Sequence, residues 1–273
     1  MRRSDVRATL LPMTEQSEQY GQLLRDLRDE RGVLGALLPT LADEVWDRQS
    51  PAEGWLLRDC VVHLAETDES AAAIAGESAL AARRGEGRGV LTAGMLRGRE
   101  MRPAQVLAWW RAAGERMMAA LESYAGSERL TWAGRPMSVV SFTTARLMEH
   151  WSHGLDVLDA AGVAAVDTDR LESIAHLGYI TRDFAYRTHG LAPPAEALYV
   201  ELRSPSGQTW SWGPAEATDR VFGSAGDFCR VVTQRIHVSD TSLRWEGENA
   251  REFLSLAQTF AGPPGKGRAP KGK

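Results

Sequence analysis

The sequence predicts an α+β protein, with a four-helix bundle over residues 15–190 and a small α+β domain over residues 191–262. Three observations lead there. Apolar residues recur at helical spacing in four long segments of the first part. After His189-Gly190 and Pro193-Pro194 the pattern changes to short, β-rich runs. The spacers between the helical segments are short to moderate, as in antiparallel bundles.

Residues 1–14 read as an irregular arm. From residue 16 to about 41, Tyr20, Leu23, Leu24, Leu27, Leu34, Leu37, Leu38 and Leu41 mark one face of a long helix. That helix ends before Ser50-Pro51, because proline pushes its predecessor out of the α region. A second helix is expected from about 57 to 82, followed by a polar, glycine-rich loop over 83–89. Pro103 suits the first turn of a third helix carrying Val106, Trp109, Trp110, Ala113, Met117 and Leu121. After Gly134-Arg135-Pro136, a fourth helix runs from about 138 to 161, with Gly162 as its closing residue. One more helix is expected over 171–187, so that residues 15–187 are almost wholly helical.

In the second part, strands over 197–203 and 208–213 flank Ser204-Pro205-Ser206-Gly207, a hairpin signature. Ser224 and Asp227 have the spacing of a capping box and open a helix through 235. A strand over 241–246 and a helix over 248–260 complete the order β-β-α-β-α. The basic Pro/Gly tail, 263–273, is expected to be disordered.

Bulk properties exclude several classes. The composition, 43% hydrophobic and 25% charged, is that of a globular protein. A formal charge of −4 and the lack of a basic stripe argue against nucleic-acid binding. No segment reaches the roughly 18 apolar residues of a membrane span. Met1-Arg2-Arg3-Ser4-Asp5 has no apolar stretch behind it, so no signal peptide is expected. The two cysteines, Cys60 and Cys229, are far apart, which fits a reduced cytosolic protein. GxGxxG, Walker A and GxSxG motifs are absent.

The candidate site begins with Glu149 and His153. Four residues apart on one helix, they share a face and can grip one ion. Such spacing is also the mark of an ordinary ion pair on a helix surface. His63, on the second helix beside Val61, Val62 and Leu64, adds a third donor. An isolated histidine there is more often a core residue, but bundles build metal sites from inward-facing side chains of separate helices. Two nitrogens and one oxygen suit a catalytic Zn²⁺ with an open position; nickel, cobalt or iron(II) are compatible with the same ligands. His150 points about 100° away and is read as a non-ligand. Asp156 shares the face of His153 and is either an orienting carboxylate or a helix salt-bridge partner. Cys60 is read as a small buried hydrophobe rather than a ligand. His176, His189 and His237 have no partner at ligand spacing.

The run Pro51-Ala52-Glu53-Gly54-Trp55-Leu56-Leu57-Arg58-Asp59, followed by His63-Leu64, resembles the start of the second helix in DinB-like proteins, and within them the mycothiol-dependent maleylpyruvate isomerase family. Glu149, His153 and Asp156 resemble that family's E-x-x-x-H-x-x-D signature. The run from Gly223 to Arg235 looks like its C-terminal, sterol-carrier-like domain. The resemblance covers about residues 15–262. Leu56 departs from it, since relatives place a Ser or Thr cap there.

The resemblance implies a His63/Glu149/His153 metal triad, and a low-molecular-weight thiol, mycothiol above all, as cosubstrate. It implies isomerisation, S-transfer or thiol exchange on a small electrophile, in some relatives within natural-product pathways. It also implies an arginine of the C-terminal domain near the metal, for which Arg230 and Arg235 are the candidates. The two are about 140° apart on a helix, so only one is expected to reach the site, and Arg235 is preferred. Glu66 and Asp156 are lesser candidates for proton handling. Two other readings stand beside this one: a thiol-independent metal hydrolase, which added thiol would not affect, and a non-catalytic binder of a metal and an apolar ligand, suggested by Trp109-Trp110 and Trp210-Ser211-Trp212.

Overall fold

The computed structural model describes residues 13–76, 91–132 and 135–272. Residues 1–12 of the arm expected over 1–14, and the glycine-rich loop over 83–89, lie outside them, while residues 13 and 14 already belong to the first helix. Four long helices form the bundle: α1 (Met13–Leu37), α2 (Leu57–Ala75), α4 (Pro103–Leu121) and α5 (Val139–Ala161), with a short α3 (Ala93–Glu100) between the second and third. Helix α2 lies against α4 and α5, and α1 lies against α5 and α4. The apolar stripe of α1 buries Tyr20, Leu23, Leu24, Leu27 and Leu34. Pro39 then tightens the chain into a 3₁₀ turn, Leu38–Thr40.

Periodicity missed α3. It is only eight residues long and three of these are charged. Its start is fixed by Thr92 Oγ1, which accepts from Met95 N at 3.0 Å. Gly98 lets it press onto α2, since a Cβ there would sit 2.5 Å from Val62 Cγ2. A second departure is the antiparallel hairpin β1 (Arg129–Trp132) and β2 (Arg135–Ser138) inside the part expected to be helical. It forms its own two-stranded sheet before α5. Helix α5 has the expected ends: Ser138 Oγ accepts from Ser141 N at 3.0 Å, and Gly162 takes the left-handed conformation at φ 75°.

The helix expected over 171–187 is two helices, α6 (Leu171–Ile180) and α7 (Arg182–Thr188), parted at Thr181. They pack on the C-terminal unit, α6 on α8 (Ala225–Val232) and α7 on α9 (Glu248–Leu256). One hydrophobic cluster runs from Leu27 and Leu155 of the bundle to Phe228 and Phe253. The C-terminal sheet has strand order β4-β3-β5-β6, with β3 (Leu198–Arg203), β4 (Thr209–Trp212), β5 (Asp219–Ser224) and β6 (Arg244–Glu246). Strand β5, parallel to β3, was not expected. It starts on a charged pair, Asp219-Arg220, and ends on Gly223-Ser224, which hides its alternation. Asp219 is nonetheless buried, accepting from Asn249 Nδ2 at 3.0 Å and Ala250 N at 3.2 Å at the start of α9. The order is therefore β-β-β-α-β-α rather than β-β-α-β-α.

Two corrections bear on the site. Helix α8 stops at Val232, and Gln234 takes φ 60°, so Arg235 leaves from a left-handed turn and not from a helix face. The tail expected to be disordered instead follows a defined course over residues 263–272, with Gly265 N donating to Gln258 Oε1 at 3.0 Å and Lys271 N to Asp240 Oδ2 at 2.8 Å. Among the described residues, no helix is long and apolar enough to cross a membrane.

Candidate metal centre

The start of α2 is held without the missing Ser or Thr cap. Asp59 Oδ2 accepts from Leu56 N at 2.8 Å, which is the carboxylate half of a capping box. Arg99 Nη2 grips the same carboxylate at 2.5 Å. The helix so fixed carries His63 toward α5. There His63 Nε2 lies 3.3 Å and His153 Nε2 3.5 Å from Glu149 Oε2. The donor atoms of His63, Glu149 and His153 all fall within 4.8 Å of one another.

Trp55 walls the group on one side. Its ring is stacked on His153 at 5.5 Å and 13°, and tilted against His63 at 5.2 Å. Behind His153, Nδ1 lies 3.2 Å from Asp156 Oδ2 and 3.4 Å from Arg235 Nη2, while Nε2 faces Glu149. Arg235 Nη2 holds the same Asp156 oxygen at 2.9 Å. The other donors of Arg235 go to Ser152 O and Thr233 O, each at 2.9 Å. Arg268 Nη2 takes the second oxygen, Oδ1, at 2.7 Å.

The electrostatics favour ligand protonation states. Burial pushes the His63 imidazole down to about 4, so it is neutral at neutral pH. Burial opposes ionisation of Glu149, but hydrogen bonds from His153 and His63 outweigh it and hold the carboxyl well below its usual range. Asp156 is likewise held at about 2, burial being overcome chiefly by Arg235, then His153 and Arg268. Cys60 is fully buried 3.6 Å from Ser50 Oγ, and burial raises its thiol pKa far above the ordinary value. It sits with His153 and Asp156 in a second group of ligand type, but as a thiol rather than a thiolate.

The other expected residues lie elsewhere. Arg230 makes a two-point pair with Asp167, at 2.7 and 2.8 Å, and lies over the Trp151 ring at 5.5 Å. Glu66 accepts from Thr92 Oγ1 at 2.5 Å and so secures the cap of α3. His176 stacks on Trp212, His189 Nδ1 bonds Ala185 O, and His237 caps the turn at Ser239. His150 belongs to a separate buried cluster. Its Nε2 lies 2.9 Å from Asp68 Oδ1, which also accepts from Arg146 Nη2 at 2.9 Å, while Arg31 pairs with Asp68 Oδ2. Arg146 Nη2 also bonds Thr67 Oγ1 at 2.9 Å, one turn beyond His63, so this cluster underlies the triad. Sequence reasoning missed Arg31, Asp68 and Arg146, although Arg146 is three residues before Glu149 and Asp68 five after His63. A groove of about 530 Å³ beside α1, lined by Leu34, Leu37, Trp151 and Leu155, includes none of the triad.

An interhelical His-Glu-His group in a bundle, with an α+β unit supplying an arginine behind it, defines a helical protein with a site of metal-ligand type. The chain belongs to the mycothiol maleylpyruvate isomerase family. The family model for the N-terminal domain of that isomerase matches residues 27–158, and a model described as wyosine base formation matches residues 194–244. Two uncharacterized proteins of Mycobacterium tuberculosis, from strains CDC 1551 / Oshkosh and ATCC 25618 / H37Rv, are each 45% identical over 253 residues, covering 91% of this chain and 98% of the relative. Two crystal structures share the fold at 18% identity. The mycothiol-dependent maleylpyruvate isomerase matches with a TM-score of 0.50 over 82% of this chain and 90% of its own. A histidine-to-alanine mutant of that isomerase matches with a TM-score of 0.51 over 86% and 93%.

Proposed function

We propose that the chain is a metal-dependent enzyme that uses a low-molecular-weight thiol, mycothiol by family, on a small electrophilic metabolite. The observation that carries this reading is the convergence of His63 Nε2, His153 Nε2 and Glu149 Oε2 on one point between α2 and α5. The donor set fits a divalent ion: two imidazoles, that of His63 kept neutral by burial, one ionised carboxylate, and a second carboxylate, Asp156, beside the far nitrogen of His153. Zinc is the expected ion. Bound there, it would supply Lewis acidity that favours thiolate over thiol.

The chain's own residues define the remainder of the reading. Asp156, 3.2 Å from Nδ1, helps to orient the ring of His153, and Trp55 keeps both imidazoles in place and shields that side from water. Arg235 spends its donors on Asp156, Ser152 O and Thr233 O. Its role is therefore to position Asp156 rather than to hold substrate. For isomerisation, the thiolate adds to an activated double bond and the electron pair moves onto the conjugated carbonyl. The former double bond then rotates, the pair returns, and the thiolate leaves unchanged. S-transfer is the same addition without expulsion, followed by protonation at carbon. A small-molecule substrate, a cytoplasmic location and a place in natural-product metabolism belong to the same reading.

The test is a turnover assay of zinc-loaded protein on maleylpyruvate and other unsaturated keto acids, with and without mycothiol. Thiol-dependent isomerisation or adduct formation is expected, and both are expected to be lost in His63→Ala. Turnover equal in the absence of any thiol would replace this reading with metal-dependent hydrolysis.

A further inference from the structure

The segment after residue 262 belongs to neither hydrophobic cluster of the protein. It is nevertheless anchored at both ends, by Gly265 N on Gln258 Oε1 and by Lys271 N on Asp240 Oδ2. Between these anchors Arg268 turns inward. Its Nη2 reaches Asp156 Oδ1 at 2.7 Å, and its Nη1 donates to Pro51 O at 2.6 Å. Asp156 is only 1% exposed, whereas the Arg268 side chain keeps 26%.

This one guanidinium joins three parts of the site. Asp156 Oδ2 lies 3.2 Å from His153 Nδ1. Pro51 belongs to the turn that leads to Trp55, whose ring stacks on His153. The third part is the C-terminal segment itself. The two oxygens of Asp156 are thereby divided: Oδ2 serves His153 and Arg235, and Oδ1 serves Arg268. With an arginine on each oxygen, the plane of the carboxylate is fixed, and with it the ring of His153. Without Arg268, Oδ1 would be a buried carboxylate oxygen lacking its charged partner, free to draw in water or to rotate away from Nδ1.

We propose that Arg268 is a positioning residue, and that the C-terminal segment is a strap that completes the metal site by locking Asp156 onto His153. The inference rests on the reading of His63, Glu149 and His153 as metal ligands. Groups that orient a ligand imidazole typically change metal affinity 10–100-fold, and Arg268 acts one contact further out, so a loss of about tenfold is expected. The strap lies outside the core clusters, so substituting Arg268 leaves the fold in place.

The experiment titrates full-length protein with Zn²⁺ against a chromogenic chelator and records the visible spectrum of the Co²⁺-loaded protein. The variants are Arg268→Ala, Arg268→Lys, Asp156→Asn, and the double variant Arg268→Ala with Asp156→Asn. Arg268→Ala should weaken Zn²⁺ binding about tenfold and alter the Co²⁺ spectrum, with part of both effects restored in Arg268→Lys. In the Asp156→Asn background, Arg268→Ala should add little, because its route to the metal is already cut. Native affinity and spectrum in Arg268→Ala, or an equal effect in both backgrounds, would overturn the strap. If the unmutated protein takes up no ion, the metal reading itself fails; if it takes up one and only Arg268→Ala is silent, the strap alone fails.

Discussion

Asp68 is the most consequential side chain outside the triad, and Asp68→Asn is the sharpest test of how the bundle supports its site. The carboxylate is fully buried and meets two guanidiniums, Arg31 and Arg146, whose side chains are only 11% and 9% exposed. Burial opposes its ionisation, but His150, Arg146 and Arg31 together hold it below the usual carboxylate range. Asparagine keeps the shape, removes the charge, and turns a donor toward a guanidinium that is itself a donor. Breaking a buried pair in this way costs about 3–5 kcal/mol. Two cations lose their partner, but the residual exposure of Arg31 admits some water, so a loss of about 3 kcal/mol is expected. For a chain of this size that corresponds to a fall in melting temperature of roughly 10 °C. Urea unfolding of the metal-free protein, with the midpoint and slope fitted together, measures it. A loss below about 1 kcal/mol would refute the argument that Asp68 neutralises the arginines beneath His63 and Glu149.

Four further outcomes follow from named contacts. His63→Ala and His153→Ala should each lose most of the one divalent ion expected per chain, measured by elemental analysis of protein purified without chelator; full stoichiometry in both would dismiss the triad. Arg235→Ala, which removes the partner of the Asp156 oxygen beside His153, should weaken Zn²⁺ binding about tenfold or more in a chelator titration, the scale of losing a group that orients a ligand, while Arg230→Ala, tied to Asp167, should do far less. His150 sets a pH dependence: burial, helped by Arg31 and Arg146, moves it from 6.5 to about 4. Between those values the unfolded chain binds a proton that the folded chain does not, so stability falls as pH drops from 6.5 towards 4, by up to about 3 kcal/mol. His150→Asn should reduce that slope in metal-free protein and leave the part due to His63, which burial moves over the same range; an unchanged slope would assign it to other groups. Gly178→Ala should destabilise by about 1–3 kcal/mol, because the new Cβ would lie 2.8 Å from Val232 Cγ2 and 3.0 Å from Phe228 Cε1 where α6 meets α8; a neutral effect would mean that the two helices can part.

What could be read in the sequence, and what could not, follows from the range of the interactions involved. Helix α5 was legible from end to end, because Ser138, the apolar stripe and Gly162 all act within a turn or two of chain. The same local geometry placed Glu149, His153 and Asp156 on one face, and the structure brings the first two to His63, with Asp156 behind His153. Strand β5 was not legible, because Asp219 is satisfied by Asn249 and Ala250, thirty residues on, and no local pattern carries that information. Arg235 shows the limit more finely. Helix periodicity alone aims it at the site, but the helix ends at Val232 and the left-handed Gln234 turns it inward. Arg268 lies at the far end of the scale: it sits in a Pro/Gly-rich basic stretch whose composition reads as disorder, and its partners are 112 and 217 residues away in the chain. Composition measures how much core a segment can bury. It does not register a single buried carboxylate elsewhere that lacks its second cation, and one charge-assisted contact of that kind is enough to dock a terminal segment.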